Sequence, residues 1–260
     1  VPSWPVRAWV GLCLAFLMLP LIVVVKTAFD RSDILSSGFS GFTTTWFTKA
    51  LGNADFTDAL HRSFVLAMVV TALTLVFGLG AAIALGNGRM PGRTLLLNFL
   101  MSPITMPAIV IGLGVLLYFQ RIGLGASFGR LLAIHIVICL PYAVRILLPA
   151  VQGIDPSIRE AAANLGASPS VVFLRIVLPL LRAAVFSAAV FVFLISFDET
   201  TVTLLVAGSS YVTLPLRIFN QLTQLWDPTI SAISTMLMAI TVVAVVVLDR
   251  LVGLGRLRAA

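Results

Sequence analysis

Charge is scarce in this sequence. Only 10% of its 260 residues are charged, 10 acidic and 17 basic, whereas 60% are hydrophobic and the mean hydropathy is +1.09. Soluble domains are usually about half apolar and about a quarter charged. The balance here excludes a soluble domain as the bulk of the chain and predicts one integral membrane domain over residues 1–260. Cysteine is nearly absent: Cys13 and Cys139 stand alone in apolar segments. That excludes a disulfide framework and a thiolate metal site, and it favours two buried small hydrophobes. There are two histidines, His61 and His135, far apart in the chain. His135 falls in an apolar run, where a hydrogen-bonded packing role is favoured over a proton relay. No Gly-x-x-x-x-Gly-Lys-Ser/Thr loop, His-Glu-x-x-His string or Cys-x-x-Cys pair occurs, so neither P-loop nucleotide binding nor those metal and redox chemistries have residues to work with. There is also no basic run. The net charge of +7 and pI near 10.4 come from scattered arginines, which fits span ends and lipid headgroups better than nucleic acid.

Long apolar runs are plentiful. They fall at about 9–25, 63–85, 95–119, 131–151, 183–207 and 229–248, and each is long enough to approach or cross the hydrocarbon layer as a helix. The fold expected is all-α, with six transmembrane helices and both termini cytoplasmic. The chain begins at Val1 rather than Met, which reads as a trimmed start or a non-Met initiator. No small-residue cleavage site follows the first run, so it is taken as a span and not a signal peptide. The second run carries Gly78, Gly80, Ala81, Ala82 and Ala84, a small-residue face for close helix packing. The third is interrupted by Pro103 and Pro107 and loosened by Gly112 and Gly114. Irregular backbone at that depth survives where protein or water satisfies it, so this run reads either as a pore-lining segment or as a kinked packing helix.

The most distinctive polar stretch is 155–179, DPSIREAAANLGASPSVVFLRIVLP. It lies between the fourth and fifth runs and holds Asp155, Arg159, Glu160 and Arg175. It reads as two short helices. Asp155 caps the first with Pro156 at its first position, Gly166 stops it, and Ser168 caps the second ahead of Pro169. Glu160, Ala161, Ala162, Gly166, Ile176, Leu178 and Pro179 match, position for position, the EAA-x3-G-x9-I-x-L-P signature of ABC importer permeases, which this chain resembles. The resemblance implies the type I permease fold and makes this stretch the cytoplasmic coupling segment. Asp155, Arg159, Glu160, Ala161, Ala162 and Gly166 are the residues expected to dock in a cleft of the ATPase. It further implies that ATP and Mg are held by separate ATPase subunits, two copies being expected. The chain itself would be a non-enzyme without a cofactor. Its other partners would be a second homologous permease in a heterodimer, a solute-binding protein outside, and the lipids of a bacterial inner membrane, with no nucleic acid.

A second feature lies in the fifth run, where Phe197-Asp198-Glu199-Thr200-Thr201 sets two acids in apolar surroundings. At about 1.5 Å per residue, Asp198 lies roughly two thirds of the way across from Arg182. Charges at such depth face a cavity or a partner, or else mark a helix break where they are solvated. This segment and the later Thr213-Leu214-Pro215-Leu216-Arg217-Ile218 resemble spermidine/putrescine-type permeases. The implied substrate path comprises Phe197, Asp198, Glu199, Thr200 and Trp46, and the implied solute is a small amine with polyamines first. Trp46 belongs to Phe42-Thr43 and Trp46-Phe47, similar to an FT-x-x-W-Y/F element of the same permeases. It reads equally as an interfacial anchor. One departure is Ala108 after Met106-Pro107, where those permeases often carry an acid. Opines, aminoethylphosphonate and amino-acid-like solutes stay open, as does a cation-coupled secondary transporter using Asp198 or Glu199.

Orientation follows from the basic residues. Six spans with both ends inside put ten of the 17 lysines and arginines on the cytoplasmic side, among them Arg7, Arg89, Arg93, Arg145, Arg256 and Arg258. The bias agrees with the positive-inside rule.

Overall fold

Proline and glycine set most of the helix ends. The computed structural model describes residues 4–32, 38–86, 88, 90–208, 211–224 and 227–252, with the side chains of 224, 244, 247–249, 251 and 252 outside the description. Among these residues the structure is helical, with one isolated antiparallel bridge between Asp30 and Phe42. The helices are α1 (Trp4–Phe29), α2 (Thr45–Gly52), α3 (Ala54–Gly86), α4 (Arg93–Thr105), α5 (Ala108–Arg121), α6 (Phe128–Gln152) and α7 (Pro156–Asn164). Then come α8 (Pro169–Val172), a π-helical turn (Phe173–Val177), α9 (Leu178–Leu180), α10 (Arg182–Asp198), α11 (Thr201–Val206), α12 (Leu214–Gln224) and α13 (Thr229–Val252). Arg89, Arg256 and Arg258, expected on the cytoplasmic side, lie outside the described residues.

Among the described residues, three helices are long and apolar enough to cross a membrane: α1, α3 and α6. Two bent pairs qualify when joined. α4 and α5 meet at 104°, and Pro169–Leu180 meets α10 at 70°. The third run is therefore two helices, because Pro107 lacks an N–H and Met106 is extended (φ −94°, ψ 140°). The fifth run ends at Asp198 and restarts at Thr201. Two helices were not legible in the sequence. Both α2, in the stretch after the first run, and α12, in the stretch after the fifth, are too short and too polar to announce themselves by hydropathy.

The chain divides into two compact units. The first comprises residues 1–60 and 217–243. In it the end of α1 is tied to the following loop. The Asp30 carboxylate accepts the Ser40 N–H at 3.0 Å and the Ser32 N–H at 3.2 Å, and Lys26 Nζ lies 3.7 Å away. The Ser40 N–H is the main reason the Asp30 carboxyl titrates below its ordinary 3.8. Burial opposes it, and the Ser32 N–H and Lys26 add to it. Phe29 stacks on Phe42 at 5.3 Å and meets Phe47 at 4.9 Å. Farther along, Lys49 pairs with Asp227 at 2.9 Å, and Arg217 pairs with Asp55.

The second unit, residues 61–216 and 244–260, holds the larger core. Its axis is α6, whose buried positions include Leu131, Ile134, His135, Cys139, Ala143 and Leu147. The spacing of three and four is that of one helix face. On α3, Gly78, Ala82 and Gly86 recur every four residues. A Cβ at Gly78 would stand 2.8 Å from Ala143 Cβ, and one at Gly86 would stand 2.7 Å from Val151 Cγ1. Only this side of the small-residue stripe serves the contact, since a Cβ at Gly80 would meet nothing within 4 Å. Gly112 on α5 does the same for α11, with Leu205 Cδ1 at 2.8 Å and the Val202 backbone at 3.4 Å. Gly78→Ala should therefore destabilise the assembled protein by about 1–3 kcal/mol through overpacking, read as a lower thermal midpoint in detergent. Gly80→Ala should leave the midpoint unchanged or slightly raised, and equal losses in both variants would refute the packing assignment.

Candidate functional site

Two constellations, both in the second unit, contain the site residues singled out in the sequence except Trp46. The first is the polar stretch 155–179. α6 closes at Gln152, and the Gly153 N–H turns back to the Pro149 carbonyl at 2.9 Å. The Asp155 carboxylate then accepts the Ser157 N–H at 2.9 Å, with Pro156 at the first helical position. The Ser157 N–H and hydroxyl hold the Asp155 carboxyl below its ordinary 3.8. At the far end the Gly166 N–H reaches the Ala163 carbonyl at 2.9 Å, and the Ala167 N–H reaches the Ala162 carbonyl at 3.1 Å. These two bonds with Gly166 at φ +83° make a Schellman cap. The left-handed conformation is why glycine sits there.

α7 is thus pinned at both ends and largely free between them. Ala162 is its one buried residue, whereas Glu160, Ala161 and Ala163 are exposed and Arg159 is half-buried. Leu165, just past the end, is 89% exposed. Ser168 begins the second short helix, but its hydroxyl pairs with Ser170 at 3.2 Å instead of capping a backbone N–H. The widened π turn directly precedes Pro179, whose missing N–H would interrupt a regular ladder. Beside α7 lies an open cleft of about 580 Å³, lined by Ile158, Arg175, Ile176, Pro179, Leu180 and Arg182.

The second constellation is the break between α10 and α11. Glu199 is extended (φ −67°, ψ 111°). Its carboxylate oxygen accepts the Val202 N–H at 2.8 Å and so caps α11. Asp198 is exposed, and among the described residues no donor pairs with its carboxylate. The two neighbouring acids therefore have different work. Glu199 is spent on the fold, and Asp198 remains open. Thr200 donates its hydroxyl to the Asp198 carbonyl at 3.2 Å. Phe197 stacks on Phe193 at 5.6 Å, and Phe193 meets Phe64 edge-on at 5.7 Å. An open carboxylate next to stacked rings can hold an ammonium group by charge and by cation–π attraction.

Trp46 belongs to the first unit. Its ring is 9% exposed, its indole N–H donates to the Asp30 carbonyl at 2.7 Å, and Lys49 Nζ lies 5.4 Å from the ring centroid. The indole is packed within this unit. It locks the loop after α1. Two features escaped the sequence reading. One is the His135 contact with the break, because its partners Ser196 and Thr203 lie 61 and 68 residues away. The other is a Gly-x-Ser-x-Gly string at Gly125–Gly129. It is not a nucleophile elbow, because among the described residues no strand precedes it, and Ser127 Oγ accepts the Arg130 N–H at 3.3 Å as the cap of α6.

Comparison with known proteins bears on both constellations. A family model described as a binding-protein-dependent transport system inner membrane component matches residues 74–254. The spermidine/putrescine transport system permease protein PotC of Haemophilus influenzae is 31% identical over 246 residues, 95% of each chain. The putrescine transport system permease protein PotI of Escherichia coli is 29% identical over 230 residues, 86% of this chain and 82% of that one. Among solved structures, a bacterial ABC transporter involved in import of the acidic polysaccharide alginate aligns with a TM-score of 0.68 at 14% identity, covering 97% of this chain and 98% of its counterpart. The last likeness is one of fold alone.

The Asp155 cap can be tested by hydrogen exchange in the assembled protein. Its folded carboxyl titrates below 3.8. The cap's contribution is therefore full above that value and is lost as the pH falls through the lower folded value. Asp155→Ala should speed exchange at Ser157 and Ile158 several-fold at neutral pH. Asp155→Asn should keep protection, since Asn also caps, and should lack the acid-induced loss.

Proposed function

The chain belongs to the family of inner-membrane components of binding-protein-dependent transport systems, and we propose that it forms half of the translocation path of an ATP-driven importer for small amines, with polyamines of the spermidine and putrescine class as the solutes. The open Asp198 carboxylate beside the Phe193–Phe197 stack carries the solute reading. The permease names borne by relatives 31% and 29% identical support it. The capped, outward-facing α7 supports the coupling reading.

In this reading six spans cross a bacterial inner membrane with both termini inside. Two ATPase subunits, a second permease in a heterodimer and a solute-binding protein outside complete the importer. ATP hydrolysis belongs to the ATPase subunits. When they close on ATP, their clefts draw the coupling segments together, and the permeases rock from inward-open to outward-open. Asp155 and Gly166 keep α7 rigid at its ends, Ala162 fastens it to the permease core, and Arg159, Glu160, Ala161 and Leu165 meet the ATPase. A rigid, doubly capped helix transmits displacement instead of absorbing it. Delivered solute then passes Asp198, while Glu199 and Thr200 shape the bend that exposes it.

Two experiments test these assignments. Glu160→Lys and Gly166→Leu, the latter forcing a branched residue into a left-handed conformation, should each leave the chain in the membrane and cut ATP-driven uptake by about tenfold or more. Normal uptake and normal ATPase binding in both would refute the docking role. Asp198→Asn should raise the apparent KM for spermidine by about tenfold through loss of the charge. Glu199→Gln retains an oxygen acceptor for the Val202 N–H and should stay within about threefold. If Asp198→Asn leaves spermidine uptake unchanged, the acidic path is wrong.

A further inference from the structure

α6 carries a histidine where hydrocarbon would be expected, and the ring is fully engaged. His135 is 1% exposed, Ser196 on α10 is 3% exposed and Thr203 on α11 is 0% exposed. His135 Nδ1 lies 3.0 Å from Ser196 Oγ, and Nε2 lies 3.0 Å from Thr203 Oγ1. The Thr203 hydroxyl donates to the Glu199 carbonyl at 2.8 Å. A hydroxyl has one proton, so with that proton on the carbonyl, Thr203 Oγ1 must accept from the ring and Nε2 carries the N–H. The neutral imidazole then offers Nδ1 as an acceptor for the Ser196 hydroxyl. The outcome is a directed chain from Ser196 through His135 and Thr203 to the backbone of Glu199.

Its two ends bracket the broken helix. Ser196 is in the last turn of α10 and Thr203 is in the first turn of α11, with Asp198 between them. The local bonds at the break, from Val202 N–H to the Glu199 carboxylate and from the Thr200 hydroxyl to the Asp198 carbonyl, organise the break itself. Among the described residues, the hydrogen bonds that reach both helices from a third element are those of His135. An imidazole suits this place because its two nitrogens lie on different edges of one rigid ring. Straight-chain amides of similar reach have more rotatable bonds.

From this geometry we infer that His135 is a positioning residue. It is a strut that holds α10 and α11 at a set angle and thereby aims the Asp198 carboxylate. The inference rests on the reading of Asp198 as a group that meets solute, but its first test does not. In the assembled transporter in lipid nanodiscs, His135→Leu fills the same space without hydrogen bonds. It should accelerate amide exchange at residues 199–204 by about tenfold and leave exchange across 157–163 as in the wild type. With radiolabelled spermidine as the probe, the same variant should raise the apparent KM about tenfold with the maximal rate within about twofold. His135→Gln, with an amide near the Nε2 position, should restore at least part of both. If His135→Leu fails to assemble, the smaller changes Thr203→Val and Ser196→Ala carry the same comparison.

Unchanged exchange at 199–204 overturns the strut, as does a rise spread evenly over the second unit, which marks ordinary core packing. His135→Gln behaving no better than His135→Leu overturns the hydrogen-bonding role. A wild-type assembly that takes up no spermidine sinks the amine reading, while the exchange comparison still decides the strut.

Discussion

A backbone N–H or C=O left unpaired in hydrocarbon costs about several kcal/mol, so regular helix is the default wherever the chain meets lipid. Among the described residues, two departures from that default matter most here. The α4–α5 corner and the α10–α11 break each interrupt a run that composition alone would make continuous. The second is answered from within the protein. Glu199 caps α11 with its side chain, Thr203 occupies the Glu199 carbonyl, and His135 fills the remaining valence of Thr203. Gly112 lets α11 come against α5, so the two broken segments cover each other. At the α10–α11 break the irregular backbone is answered by side chains of the same unit.

The geometry of the break explains how two adjacent acids acquire different roles. An extended residue between two helices turns its neighbours through a large angle. Glu199, at the turn, can bend its carboxylate onto the next helix start. Asp198, still on α10, cannot, and its charge is left toward open space. The division comes from the break and not from the chemistry of the acids, which are nearly alike. The polar stretch near α7 follows a complementary logic. Its helix ends are fully satisfied by Asp155 and by the Schellman cap at Gly166, so its exposed side chains are free of structural duty.

Much of the α7 region was legible beforehand because its determinants are local. An Asp before a Pro starts a helix, and a Gly two residues past its end stops it, whatever lies around them. The helical class of the fold was legible for the same reason, since apolar length and low charge act segment by segment. The α2 and α12 helices were not, because a short polar helix is decided by what it rests against. The surroundings of Trp46 were not legible on similar grounds. An aromatic near a span end has two environments open to it, and the burial of its ring and the carbonyl of Asp30 select the interior one.

What the sequence by itself determined is everything carried by near neighbours: membrane class, the approximate apolar runs, the caps of α7 and the presence of acids in the fifth run. Tertiary structure alone decided which small residues make helix contacts, which of the two acids stays open, and what braces the break between them. The physical reason is distance along the chain. Caps and hydropathy act within a few residues, whereas the meeting of His135 with Ser196 and Thr203, or of Gly78 with Ala143, joins positions more than sixty residues apart, and no local pattern encodes it.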